Sequence, residues 1–449
     1  MRPLPGVGYD PPLISYYGDD FTGSTDVMEA LASNGVDTVL FLKKPGGELV
    51  ERFRQARAMG LAGTSRSESP DWMDVHLSDA LRWLGGLDAE LCHYKVCSTF
   101  DSSPGFGNIG KAIEIGANIF GNRTTSLIVG APQIRRYTAF GQLFAAYQGR
   151  NYRIDRHPVM SRHPVTPMDE ADILLHLARQ TKLSSALLDC AGLTGPDVGG
   201  ALGAALADDP AILLIDVLDS GTQAAAGQIL WNALRDRGRF VCGSSGVEYA
   251  LIEAWRQEGL IGAKPGFEPV GPVEQIAVVS GSVSPTTERQ IRHALAHGFE
   301  AVALDPLHLT GDNAENEVER GVVAGLEILS RGASPVIFTA LGPSADRGSE
   351  IDMREGARHR IGRGLGKIQK RLLGEAKLRR AVVAGGDTSS HALGEMGIEA
   401  LTLTMPLPQT PGSPLCTAHG GALDGLQIAL KGGQVGGDDY FSMIRAGRP

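Results

Sequence analysis

Short β-branched or apolar runs alternate with helix-period segments along nearly the whole chain. That alternation restricts the fold to the α/β class, with mainly parallel sheets flanked by helices. Leu13–Tyr17 reads as the first strand and Asp26–Asn34 as the helix after it, ended by Gly35. Val27, Ala30 and Leu31 fall on one side of that helix. Further strands are expected at Asp37–Leu42, Thr125–Val129, Ala186–Leu188, Ala211–Leu218 and Arg239–Cys242. Between Glu258 and Val273 the pattern lapses into four glycines and three prolines without periodicity, as linkers do. It then restarts with Gln275–Val279, Ala301–Leu304, Val336–Ala340, Ala381–Ala384 and Ala400–Leu403. Two α/β domains follow, 1–265 and 272–449, and 449 residues are enough for two or three at ~150 each.

Glycine is the unusual component. The chain has 59 of them, roughly 13% against a typical ~7%. They form no G-X-Y period but cluster between apolar runs, as at Gly385-Gly386, Gly432-Gly433 and Gly436-Gly437. Such clusters suit loops whose backbone lines a ligand. A net charge of −9 argues against nucleic acid as the partner. No run approaches ~18 apolar residues, and Met1 to Asp10 lacks an apolar core, so neither a membrane span nor a signal peptide is expected. The five cysteines are odd in number, scattered and without a C-x-x-C pair; they read as buried free thiols of a cytoplasmic protein.

Tyr17-Gly18-Asp19-Asp20-Phe21-Thr22-Gly23 follows the first strand and opens a helix, at the sheet edge where open α/β proteins bind ligands. Adjacent carboxylates there repel each other unless they have partners or work. Asp19 or Asp20 could hold the hydroxyls of a polyol and take a proton from one. Capping by Asp20 or Thr22 accounts for one polar residue, less readily for two acids.

Tyr94 through Pro104 reads as a strand followed by hydroxyls and an acid: Ser98, Thr99, Asp101. Lys95 lies within the strand, where a buried lysine wants an anion and a solvent-facing edge lysine does not. His163-Pro164-Val165-Thr166-Pro167-Met168, preceded by Arg162, is a proline-fixed loop; Arg162 could fork a substrate carboxylate, or the loop could be scaffold.

In the second half, Ser280-Gly281-Ser282 ends one strand and enters a helix, and Gly385-Gly386-Asp387-Thr388-Ser389 repeats the arrangement. Both offer free N–H groups and hydroxyls at a helix N-terminus, which suits phosphate. With Gly432 and Gly433, the two turns make a nucleotide site plausible.

Several familiar signatures fail. Gly362-Arg363-Gly364-Leu365-Gly366-Lys367 lacks the glycine and the hydroxyl that a phosphate loop needs at 361 and 368, where isoleucines stand. His293 and His297 share a helix face without a third ligand, so no protein metal site is expected. Arg354 through Arg380 carries ten Lys or Arg against Glu355 and Glu375, with Ile361, Leu365, Ile368 and Leu372 on another face. It reads as an amphipathic helix with a solvated basic flank.

In order along the chain, G-D-D-F-T-G at 18 to 23, K-V-C-S-T-F-D-S-S-P at 95 to 104, H-P-V-T-P-M at 163 to 168, S-G-S at 280 to 282, G-G-D-T-S at 385 to 389 and K-G-G-Q-V-G-G-D-D-Y-F at 431 to 441 resemble the motifs of the four-carbon acid sugar kinase family. Gly18 and Ser24 stand where alanines are common, and Gln434-Val435 replaces a more usual Asn-Phe. The resemblance implies an N-terminal sugar-acid domain, a C-terminal ATP domain and an active site in the cleft between them. It implies phosphorylation of the terminal hydroxyl of threonate, erythronate or 3-oxo-tetronate, or of the branched 3-oxo-isoapionate, with Mg²⁺ bridging ATP oxygens. Ser280, Gly281, Ser282, Gly385, Gly386, Asp387, Thr388, Ser389, Gly432 and Gly433 would then face the nucleotide. Asp19, Asp20, Thr22, Lys95, Ser98, Thr99, Asp101, Arg162, His163 and Thr166 would face the acid, with Asp20 or Asp19 deprotonating the hydroxyl.

A sensor that binds a sugar acid without catalysis would leave the C-terminal glycine turns idle. A dehydrogenase lacks its dinucleotide fingerprint. A homodimer is the assembly expected from how common such pairs are.

Overall fold

In the computed structural model the described residues are 11–351, 353, 356–410 and 412–448, without the side chains of Ser349 and Asp387. The reading of Met1–Asp10 as lacking a leader lies outside them. The chain divides into two compact units, one running up to Thr38 and over Gly46–Pro265, the other made of Val39–Pro45 and the chain from Gly266 onward.

The first unit holds β1 (Ile14–Gly18) and takes only Thr38 of β2 (Thr38–Phe41), followed by β3 (Ala58–Ala62), β4 (Leu91–Lys95) and β5 (Thr125–Ile128). A small antiparallel sheet follows, β6 (Arg136–Ala139), β7 (Gln142–Tyr147) and β8 (Arg150–Arg153). β9 (Ser185–Leu188), β10 (Ile212–Ile215) and β11 (Phe240–Gly243) complete the unit. Its main sheet runs β3-β1-β4-β11-β5-β10-β9, parallel throughout. The chain passes from β1 to β3 on one side and on to β4 on the other, so the strand order reverses beside β1. That reversal opens a crevice at the carboxyl ends of these strands.

The second unit holds β12 (Ala277–Ser280), β13 (Phe299–Ala303), β14 (Ser334–Phe338), β15 (Arg380–Ala384), β16 (Ala400–Met405), β17 (Leu415–His419) and β18 (Gln427–Lys431). Its sheet is parallel over β13-β14-β12-β15-β18. β17, β16 and β2 then continue it antiparallel. Every strand expected from the sequence is present, with ends shifted by a few residues. β12, β14, β15 and β10 are buried along their whole length, which is why they read as continuous apolar runs rather than alternating ones.

The helix Ala357–Glu375 buries Ile361, Leu365, Ile368 and Leu372. Its glycines make a packing seam instead of a phosphate loop: a Cβ on Gly366 would stand 2.7 Å from the Ala392 backbone of the helix Gly386–Met396. The basic flank is paired across neighbouring helices, Arg363 with Glu395 and Lys367 with Glu315 (both 2.5 Å), Arg371 with Glu319. Exposed pairs of this kind contribute little each. Gly366→Val should therefore cost ~1–3 kcal/mol through overpacking, while Lys367→Gln should stay within ~0.5 kcal/mol. Denaturant unfolding of both variants checks this; a Gly366→Val protein as stable as the parent would contradict the seam.

Candidate active site

In the first unit the helix after β1 starts at Phe21, five residues before the expected Asp26, because Asp20 caps it. Its Oδ1 accepts the Gly23 N–H at 2.7 Å. The capping alternative is thus correct for Asp20 and leaves its second oxygen and Asp19 to be explained. Arg66, from the short turn Ser65–Ser67 after β3, explains them. Its Nε and Nη2 donate to the two oxygens of Asp19 at 3.1 and 2.6 Å, and its Nη1 donates to Asp20 Oδ2 at 2.7 Å. One guanidinium thus bridges two carboxylates that would otherwise repel. Burial raises the Asp19 carboxyl above its ordinary range, with Arg66 opposing the rise and Asp20 adding to it. The Asp19 side chain is 7% exposed and that of Asp20 30%, so Asp20 is the member of the pair open to solvent.

Lys95, at the end of β4, is buried, which settles its alternatives against a solvent-facing lysine. Its Nζ donates to the Val96 carbonyl at 3.0 Å and lies 3.7 Å from Asp26 Oδ2. Burial raises the Asp26 carboxyl, and Lys95 pulls it back. A Cβ on Gly23 would come within 3.2 Å of Lys95 Nζ and 2.6 Å of Asp20 Oδ1, so the missing side chain keeps this corner open.

The turn after β4 adds Asp101, whose Oδ1 accepts from the Thr99 hydroxyl at 2.5 Å and whose Oδ2 lies 3.3 Å from the Thr166 hydroxyl. Burial opposes the Asp101 charge, but Arg66, the Thr99 hydroxyl and His163 outweigh it and hold the carboxyl below its ordinary range. The Thr166 N–H donates to His163 Nδ1 at 3.1 Å. The structure thus gathers Asp19, Asp20, Lys95, Thr99, Asp101, His163 and Thr166 around Arg66. Thr22 and Ser98 are half-buried beside them, whereas Arg162 is exposed.

In the second unit, neighbouring parallel strands β14, β12, β15 and β18 end together around a cavity of about 330 Å³. The turns are tied edge to edge: Gly281 N–H donates to Ala384 O at 3.1 Å and Gly385 N–H to Lys431 O at 2.8 Å. A Cβ would meet Thr388 Oγ1 at 2.3 Å if placed on Gly281 and Ser282 Oγ at 3.0 Å if placed on Gly433. Gly385 has φ +122°, in the region that disfavours a side chain. The glycine turns thus present backbone and the Ser282 and Thr388 hydroxyls to the cavity, while Asp346, Arg347 and Arg358 line another part of it. The Ser280 and Ser389 hydroxyls serve the turns themselves, one accepting from Ser282 N–H at 3.3 Å and one donating to Gly385 O at 2.7 Å. Gly386 lines the cavity. Gly432 N–H is 3.4 Å from Ser413 Oγ. The Asp387 side chain lies outside the described residues.

Arg66 lies outside the motifs that the sequence offers, and Lys431 enters them only as the first residue of the K-G-G run, with no role of its own. Lys431 is 1% exposed, and burial pushes its ammonium down to about 8. A signal for Arg66 existed: one arginine in a Thr-Ser-Arg-Ser turn closing an apolar run.

Paired acids at a parallel-sheet crevice in one unit and glycine turns around a cavity in the other are the arrangement expected of a carbohydrate kinase. Comparison with known proteins agrees. A sugar-binding N-terminal domain model matches residues 14–251, and a nucleotide-binding C-terminal domain model matches 277–441. The chain is 47% identical to a 3-oxo-isoapionate kinase of Paraburkholderia graminis, over 97% of this chain and 94% of that one. It is 30% identical to a 3-oxo-tetronate kinase of Methylobacterium radiotolerans, over 94% and 96%. A Haemophilus influenzae protein of known crystal structure has the same fold, with a TM-score of 0.73 at 22% identity, covering 96% of this chain and 99% of that one. The chain belongs to the four-carbon acid sugar kinase family.

Two departures from the family motif turn out to be one packing exchange. A Cβ on Gly18 would stand 2.0 Å from Ser24 Oγ, and that hydroxyl donates to Asp20 O at 2.7 Å. Gly18 and Ser24 fill each other's space, so the pair leaves no added room for ligand. Gly18→Ala alone should destabilise by ~1–3 kcal/mol, and Ser24→Ala on top of it should recover part of that loss, with ~1 kcal/mol of coupling. A double-mutant cycle in denaturant measures it; strict additivity would contradict the exchange.

Proposed function

We propose that the protein transfers the terminal phosphoryl group of ATP to the terminal hydroxyl of an oxo sugar acid, of the branched 3-oxo-isoapionate kind. The observation that carries this reading is the Arg66 bridge, which holds both carboxylates, with Asp19 buried and Asp20 the more exposed of the two. Asp20 takes the proton of the attacking hydroxyl as its oxygen bonds to phosphorus and ADP leaves. Asp19, with both oxygens on Arg66, holds the guanidinium in place. Lys95, Thr99, Asp101, His163 and Thr166 present donors and acceptors to the acid's carboxylate and hydroxyls, with Thr22, Ser98 and Arg162 around them. The 47% identity to a 3-oxo-isoapionate kinase supports the branched substrate over the linear ones.

On the nucleotide side, the cavity fits a triphosphate because the glycine turns give it bare backbone and hydroxyls, and Arg347 and Arg358 also stand in its lining. Ser282, Gly385, Gly386, Asp387, Thr388 and Gly433 hold the phosphates and ribose in this reading, with Ser280, Gly281, Ser389 and Gly432 shaping the turns. Among the described residues no group of three or more His, Cys, Asp or Glu could cage a metal ion. Mg²⁺ would accordingly arrive on the phosphate oxygens, where it neutralises charge. No helix among the described residues is long and apolar enough to cross a membrane. We place the protein in the cytoplasm, where ATP is available, and as a homodimer on the frequency of such assemblies.

Incubation with ATP, Mg²⁺ and a panel of tetronates, oxo-tetronates and 3-oxo-isoapionate should release ADP fastest with the branched acid. A faster linear substrate would overturn the branched assignment and leave the kinase intact. Asp20→Asn keeps an oxygen for the Gly23 cap, so it should fold and bind ATP normally while turnover falls ~100-fold or more. Steady-state kinetics with calorimetric ATP binding tests this, and unchanged turnover would remove Asp20 from the role of base.

A further inference from the structure

A buried cation normally sits beside a carboxylate, because an unpaired charge in a poorly polarisable interior is costly. Lys431, at the carboxyl end of β18, is buried to 1% exposure and pairs with no acid among the described residues. Its ammonium donates to the Gly432 carbonyl at 2.7 Å, the Thr287 hydroxyl at 3.0 Å, the Gly433 carbonyl at 3.3 Å and the Val435 carbonyl at 3.5 Å. All four acceptors are neutral. Three belong to the lysine's own loop, and the fourth comes from the helix Pro285–Leu295.

The loop it gathers is part of the cavity wall. Gly433 and Ser282 line the cavity, and Thr287 Oγ1 lies 3.1 Å from both Ser282 Oγ and the Gly433 carbonyl. The ammonium therefore stands one hydroxyl behind the cavity wall, where its field is screened by protein rather than by water. A simple loop tie could be made by neutral donors at lower cost. A positive charge kept there without a carboxylate has its natural counter-ion in an anion that occupies the cavity.

We propose that Lys431 is a positioning residue whose buried charge acts on the phosphates of bound nucleotide from behind the Gly432–Gly433 turn, without touching them. This rests on reading the cavity as the nucleotide site. Its consequence is a preference graded by phosphate charge: the ammonium favours ATP over ADP and ADP over AMP, and is indifferent to adenosine.

The test is calorimetric titration of the full-length protein and of Lys431→Met with ATP, ADP, AMP and adenosine. ATP affinity should fall about tenfold or more, ADP affinity less, and AMP within about twofold, on the scale of one buried charge acting at several ångströms. Equal losses across the series would mean that the lysine only shapes the loop, and would overturn the proposal. Unchanged ATP affinity in Lys431→Met would overturn it and leave the kinase reading standing. Failure of the unaltered protein to bind ATP would overturn both.

A second measurement compares the same two proteins. Burial holds the free ammonium near about 8, and added phosphate charge raises it. ATP binding at about pH 8.5, followed in buffers of different ionisation enthalpy, should take up a fraction of a proton. Uptake that is the same in Lys431→Met would contradict the proposal.

Discussion

Two neighbouring carboxylates at the end of a buried parallel strand cannot both stay charged without a cation, and Arg66 is that cation. Its guanidinium takes both oxygens of Asp19 and one of Asp20. The rest of the first unit's site is arranged around this bridge. β3 delivers Arg66, β1 delivers the acids and β4 delivers Lys95, with Asp101 close enough for Arg66 to favour its charged form. The planar fork matters, since an ammonium is a point charge that could not take three oxygens in these directions.

Both units solve the same problem with the same device. Parallel strands bring several chain turns to one sheet edge, and each turn supplies one or two groups. The first unit fills its edge with charged and hydroxyl side chains. The second unit fills its edge with glycine, so the backbone itself is presented, with Ser282 and Thr388 as its hydroxyls and Lys431 behind. A sugar acid offers hydroxyls and a carboxylate that vary between substrates, which side chains can discriminate. A polyphosphate is the same in every turnover, and amide groups suffice for it.

What could be read from the sequence follows from how local each signal is. Buried parallel strands such as Ile-Leu-Leu-Ile at 212 to 215 announce themselves, and so do Asp19-Asp20 and the glycine turns. β3, Ala-Met-Gly-Leu-Ala, contains no β-branched residue and carries no strand signature, which hides Arg66 beyond its end. The mostly polar β8, Arg-Asn-Tyr-Arg, hid the small antiparallel sheet for a similar reason. Arg66 and the acids are 46 and 47 residues apart in sequence and meet only because β3 pairs with β1. Likewise Lys431 reaches Thr287 across 144 residues. Sequence spacing carries no information about such meetings. The strand expected at Asp37–Leu42 illustrates the same limit, since nothing local says that β2 joins β16 in the second unit's sheet.

One guanidinium holds two carboxylates in a fixed relation, so the most direct measurement is the turnover of Arg66→Lys. Lysine keeps the positive charge and removes the fork. The kcat should fall at least ~10-fold, a loss of ~1.4 kcal/mol of transition-state stabilisation, with ATP affinity unchanged. An Arg66→Lys enzyme that turns over as fast as the parent would show that charge alone is enough there, and that the bridge does not set the geometry of Asp20.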